Sequence, residues 1–181
     1  MPAHFSSIKK WFFLSVPIIF ILGSLLHFLF DLSGGNRFIA LFAPVNESVW
    51  EHLKLPLLPT ITVYSAFFFA FHKKFSISTK SWFCSLLFSL ISMMLSIIFL
   101  FYSYSQALGF ESVFVDIAIF FVAVLIGQML GLHLFRFCKG LPLPFSIFAL
   151  LSVFTIFALF TFFPPDLPIF FDKSSSLSGI Q

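Results

Sequence analysis

The chain has 181 residues, of which 60% are hydrophobic and only 9% carry a charge. A water-soluble domain usually carries about 25% charged residues, so a soluble globular fold is excluded and an integral membrane protein is expected. The net charge of +3 comes from basic residues scattered in pairs at loop positions, which excludes a nucleic-acid-binding patch.

In chain order, Trp11–Phe30, Leu55–Phe71, Trp82–Tyr102, Val113–Phe135 and Leu143–Phe163 are apolar runs near the roughly 20 residues that cross a bilayer. The expected fold is therefore all-α, a single bundle of five transmembrane helices spanning the chain, with Lys173–Gln181 as a loose Ser-rich tail. The first run follows Lys9 and Lys10 as a signal peptide would, but it is long and lacks a small-x-small cleavage site, so an uncleaved helix is expected. Pro56 and Pro59 open the second run, where their missing N–H groups cost little.

Basic residues fix the orientation. Lys9, Lys10, Lys73, Lys74, Lys80, Arg136 and Lys139 fall on one side, against Arg37, Lys54 and Lys173 on the other. That predicts a cell-membrane protein with its N-terminus cytoplasmic and its C-terminus outside. All seven acidic residues (Asp31, Glu47, Glu51, Glu111, Asp116, Asp166 and Asp172) then lie in or beside the outer segments. Cys84 and Cys138 map near inner helix ends, form no CxxC motif, and read as reduced packing residues.

Within the bilayer, Ser85, Ser89, Ser92 and Ser96 form a small, weakly polar stripe, and Gly127 and Gly131 form a GxxxG. Both patterns let helices approach closely in lipid. They read as packing faces, and they are also the candidate surfaces for a helix-mediated oligomer.

The densest polar run, Pro44–Pro56, precedes the second span. Locally it predicts a short interfacial helix: Asn46 can cap, Ser48 and Glu51 have capping-box spacing, and acids suit a first turn. Glu47 and Glu51 at i, i+4 would share a helix face, and Glu51 can pair with Lys54 at i, i+3. The inverted zinc-protease motif H-x-x-E-H is excluded, because Ser48 stands where its first histidine belongs. His27 and Asp31 are i, i+4 at the end of the first span, and Asp116 lies one turn inside the fourth, where an ionisable residue is costly. Gln128 at mid-span reads as an interhelical hydrogen bond.

The candidate cluster is thus His27, Asp31, Asn46, Glu47, Glu51, His52, Lys54 and Asp116. Three readings stand open. The first is a structural or partner-binding network. The second is a metal-dependent hydrolase at the outer leaflet, with His27, Glu51, His52 and Asp116 as candidate ligands of a divalent ion such as zinc. The third is a small transporter subunit, in which Asp116, Gln128 and His133 would line a path; at about 100° per residue they do not share a face.

The runs "GSLLHFLFDLSGGN", "PVNESVWEHLKLP", "FYSYSQALG", "VDIAIFFVAVLIGQ" and "FTFFPPDLPIFFD" in this order resemble the domain-of-unknown-function 6512 family over Gly23–Asp172. The resemblance implies a bacterial multi-pass membrane protein. It implies no activity, and so whether the chain is an enzyme stays open.

Overall fold

The computed structural model describes residues 3–172 and 178–180. Among the described residues, five helices are long and apolar enough to cross a membrane. They are α1 (Ala3–His27), α4 (Leu57–Phe75), α5 (Thr79–Leu108), α6 (Val113–Phe137) and α7 (Leu143–Phe162). Two short helices, α2 (Leu29–Leu32) and α3 (Val49–His52), lie in the long connection between α1 and α4. Single 3-10 turns occur at Ile39–Leu41 and Pro168–Phe170.

The long helices match the expected spans, with shifted ends. Helix α1 starts at Ala3 and runs through Pro17, although a proline leaves the carbonyl one turn earlier without its usual donor. Helix α5 has 30 residues, about 45 Å at 1.5 Å per residue, and so exceeds the ~30 Å hydrocarbon layer. Its start is fixed by Ser78, whose hydroxyl accepts from the Ser81 N–H. Its end is fixed by Gly109 at φ +69°, a left-handed position that glycine occupies without strain.

Helices α5 and α6 form the closest pair, and the small-residue patterns meet there. The Ser85 hydroxyl donates to Gly131 O at 2.7 Å and the Ser89 hydroxyl to Gly127 O at 2.8 Å. A Cβ on Gly127 would lie 2.4 Å from Met93 Cγ and 2.7 Å from Ser89 O. Ser85, Ser89, Gly127 and Gly131 are thus consumed within one chain, where the oligomer expectation had them meet a second copy. Half-buried Ser92 and Ser96 continue the same stripe. Gln128 completes the layer: it accepts from Ser15 at 3.0 Å and Tyr64 at 3.4 Å, and donates to Ser89 at 3.5 Å.

The chain direction gives the bundle two unlike ends. One holds the α1 start and the short α4–α5 and α6–α7 turns. Beneath it Trp11, Phe12, Tyr64, Phe67 and Trp82 pack ring against ring, with centroids 4.5–5.9 Å apart in the contacting pairs Trp11–Phe67, Trp11–Trp82 and Phe12–Trp82. The other end carries the acidic residues and the long Phe28–Pro56 connection. Of the expected loose tail, residues 173–177 and 181 lie outside the described residues. Ser178 bridges to Phe171, the Ile180 N–H reaches Thr161 O at 3.1 Å, and Asn46 donates to Gly179 O at 3.0 Å. The described part of the tail is docked.

Candidate metal centre at the acidic end

Helix α3 begins as expected. Ser48 is its N-cap, extended at φ −70°, ψ 150°, and its hydroxyl accepts from the Glu51 N–H at 3.3 Å. Asn46 stands just outside, and its Oδ1 accepts from the Ser48 N–H at 3.0 Å. Only half of the capping box forms, because the Glu51 side chain is committed elsewhere.

Glu51 and Lys54 make a fully enclosed ion pair. Their side chains are 2% and 0% exposed, with Nζ and Oε2 2.6 Å apart. Lys54 Nζ also donates to Ala40 O at 2.8 Å and Ala43 O at 3.4 Å, which accounts for its three protons. Glu51 Oε2 accepts from the Val45 N–H, and Oε1 from the Thr161 hydroxyl, each at 3.0 Å. A buried charge pair is sustained only when such further bonds satisfy it. The pair therefore ties the 40–45 loop and α7 to α3.

Glu51, a candidate ligand by sequence, is thereby withdrawn from the histidines, and Glu47 meets them instead. The reason is the helix phase. Since α3 starts only at Val49, Glu47 is outside the helix and shares no face with Glu51. His27 Nε2 and His52 Nε2 lie 3.1 Å apart. Glu47 Oε2 is 3.6 Å from His27 Nε2 and 3.4 Å from His52 Nε2. His27 ends α1, His52 ends α3, and Glu47 comes from the loop, so three separate segments supply one donor atom each, all within 4.8 Å of one another.

The hydrogen bonding of His52 sets its chemistry. Its Nδ1 is 2.8 Å from Ser48 O. A carbonyl oxygen only accepts, so Nδ1 carries the proton and the neutral ring keeps a bare lone pair on Nε2. That lone pair faces both His27 Nε2 and the Glu47 carboxylate. The three atoms are held together either by a proton on one of the Nε2 atoms or by a metal ion. A carbonyl that fixes the far nitrogen is also the usual support of a metal-bound imidazole. Tetrahedral zinc, with bonds of ~2.0–2.1 Å, separates its ligand atoms by about 3.3 Å. The observed 3.1, 3.4 and 3.6 Å bracket that spacing. Two imidazoles and a carboxylate leave a fourth position for water or substrate. His27 first, and then His52, hold the Glu47 carboxyl well below the usual carboxylate range. At 27–28% side-chain exposure for the histidines and 58% for Glu47, the site is open to a solvent ion.

Asp116, another candidate ligand, is placed nearby but engaged separately. Gly23 of α1 packs against Phe120 of α6 and Leu55 O, where an added Cβ would meet them at 2.5 and 2.8 Å. One turn nearer the acidic end on these antiparallel helices come His27 and Asp116. Asp116 Oδ1 accepts from the Tyr104 hydroxyl at 2.5 Å, and that hydroxyl accepts from the Ser112 N–H at 3.3 Å. Asp31 is exposed on α2; the helix breaks at Phe28, which ends the i, i+4 relation to His27. His133, of the transporter reading, is exposed and packs its ring on Phe137. Thr161 was not legible as a site residue, since nothing local in α7 marks it.

Among curated proteins and among solved structures, none matches the chain. A family described as "Family of unknown function (DUF6512)" matches residues 1–180.

Proposed function

Because the chain belongs to DUF6512, a family that carries no assigned activity, its role rests on its own residues, and we propose that it is a multi-pass membrane protein that binds one divalent transition-metal ion through His27, Glu47 and His52. The observation that carries this reading is the convergence of three donor atoms at 3.1–3.6 Å, with the His52 lone pair fixed toward the shared point by Ser48 O. Imidazole and carboxylate donors suit zinc and its neighbours in the first transition row.

In this reading the N-terminus is cytoplasmic and the acidic end faces outward, following the Lys and Arg bias. The ion then sits at headgroup level, beside exposed Phe28, whose ring lies against that of His27. A bound zinc would lower the pKa of a water in its open position to near 7, which is the chemistry that the hydrolase reading requires. The network reading is kept for Glu51 and Lys54, whose bonds are saturated.

The test uses the full chain in detergent, stripped with chelator and reloaded with Zn²⁺ or Co²⁺. About one ion per chain, a tetrahedral cobalt spectrum and a raised unfolding temperature are expected, with all three lost in His27→Ala and His52→Ala. A protein that retains no metal and whose unfolding temperature ignores added ions would show that a shared proton occupies the site.

A further inference from the structure

The two cysteines of the chain meet at the end opposite the candidate metal centre. Cys84 lies in the second turn of α5, 2% exposed, whereas Cys138 is the exposed C-cap residue of α6. The connection after α6 is pressed onto the start of α5. The Ser81 hydroxyl donates to Cys138 O at 3.3 Å. Gly140, at φ +81°, comes so close that a Cβ there would lie 2.4 Å from Lys80 C and 2.5 Å from Ser81 N. Ser81 stands one turn before Cys84 on α5, so this contact sets Cys138 over the Cys84 turn, close enough for the two thiols to interact electrostatically.

The two sulfurs differ in the ways that separate an attacking thiol from a resolving one. Cys138 is accessible, its Sγ accepts from the Gly140 N–H at 3.4 Å, and Arg136 and Lys139 flank it in sequence. Cys84 is buried directly beside it. An accessible thiol next to a second, buried cysteine is the arrangement of a reversible redox pair.

We propose that Cys84 and Cys138 form a peroxide-responsive thiol pair that closes to an intramolecular disulfide and staples the start of α5 to the α6–α7 connection. The Cys138 thiolate attacks one oxygen of a hydroperoxide, breaking the O–O bond and releasing hydroxide or alkoxide, which takes up the thiol's proton; Cys138 becomes a sulfenic acid. The Cys84 sulfur then attacks that sulfenic sulfur; the S–O bond breaks, the S–S bond forms, and the oxygen leaves as water with the Cys84 proton. With hydrogen peroxide the sum is two thiols and one peroxide giving one disulfide and two waters. A thiol reductant reverses it, so a reducing compartment keeps the pair open. The inference is independent of the metal reading.

The experiment treats the full chain in detergent with hydrogen peroxide, denatures it, alkylates with maleimide and measures intact mass. Loss of both alkylatable thiols with a mass about 2 Da below the reduced chain is expected, reversed by dithiothreitol, with a Cys84–Cys138 peptide after digestion. Cys84→Ser should leave Cys138 as a sulfenic or higher acid, and Cys138→Ser should leave Cys84 unreacted. Two thiols that stay alkylatable after peroxide, or a covalent dimer in place of the internal bridge, would overturn the proposal.

Discussion

Two carboxylates four positions apart, Glu47 and Glu51, meet opposite fates. Glu51 is buried among Lys54, Val45 and Thr161, and every polar atom of that pair is answered. Glu47 faces the Nε2 atoms of two imidazoles, and only a proton or a metal ion can hold the three together. The first arrangement is complete without a ligand; the second is electrostatically incomplete until a cation joins it. The saturated site organises the loop, and the unsaturated site beside it is where chemistry can occur.

Removing a partner from the saturated pair gives the largest expected effect. Lys54→Met strands the Glu51 charge in an enclosed site, and destabilisation of about 3–5 kcal/mol is expected in detergent unfolding. Adding Glu51→Gln to Lys54→Met should recover a large part of that loss, because no charge is then left unpaired. If the double variant is no better than the single one, the pair is held for its geometry and not for its charge balance.

Next comes the unsaturated site. His52→Ala should lower metal affinity at least about 10-fold, since even the supporting shell of a metal site is worth that much. Equilibrium dialysis with zinc measures it, and unfolding without metal should change far less than in Lys54→Met. Thr161→Val removes one donor from Glu51 and should cost about 1 kcal/mol with metal affinity unchanged. A coupled loss of metal would mean that the two sites are not separate.

Acidity sharpens the contrast further. The folded Glu47 carboxyl lies below its unfolded value, so its contribution is present above about pH 4.3 and is lost only as pH falls through the depressed folded value. Glu47 therefore stays ionised between pH 7 and 5. Metal and protons compete for imidazole nitrogens, and at His52 burial is outweighed by the Glu47 carboxylate, which strengthens the hold on the proton, so zinc affinity should fall over that interval. A zinc titration that is flat from pH 7 to 5 would remove the histidines from the ligand set. Smallest of all, Asp31→Asn should alter neither stability nor metal binding measurably, because Asp31 stands exposed on α2.

Much of this was readable in the residues. Hydropathy placed all five long helices, and Ser48 announced the start of α3. The Ser85–Ser89 and Gly127–Gly131 patterns announced close packing, though not that each would find the other. Glu51 and Asp116 were expected beside His27 and His52, where Glu47 stands instead; an i, i+4 argument assumes an unbroken helix, and Ser48 interrupts it between Glu47 and Glu51. Lys54's partners were illegible for a different reason. Ala40 and Ala43 contribute carbonyl oxygens, and a backbone acceptor leaves no trace in side-chain identity. Thr161 is 110 positions from Glu51, a separation that only the packed bundle closes.

Asn46 acts as a mechanical link. One end of its amide grips Gly179 O and the other holds the Ser48 N–H, while Ser48 O clasps His52 Nδ1. Three hydrogen bonds in series thus run from residues 178–180 to the imidazole that ends α3. Pulling residues 178–180 away would slacken that tether, so where this stretch rests sets how firmly His52 is aimed.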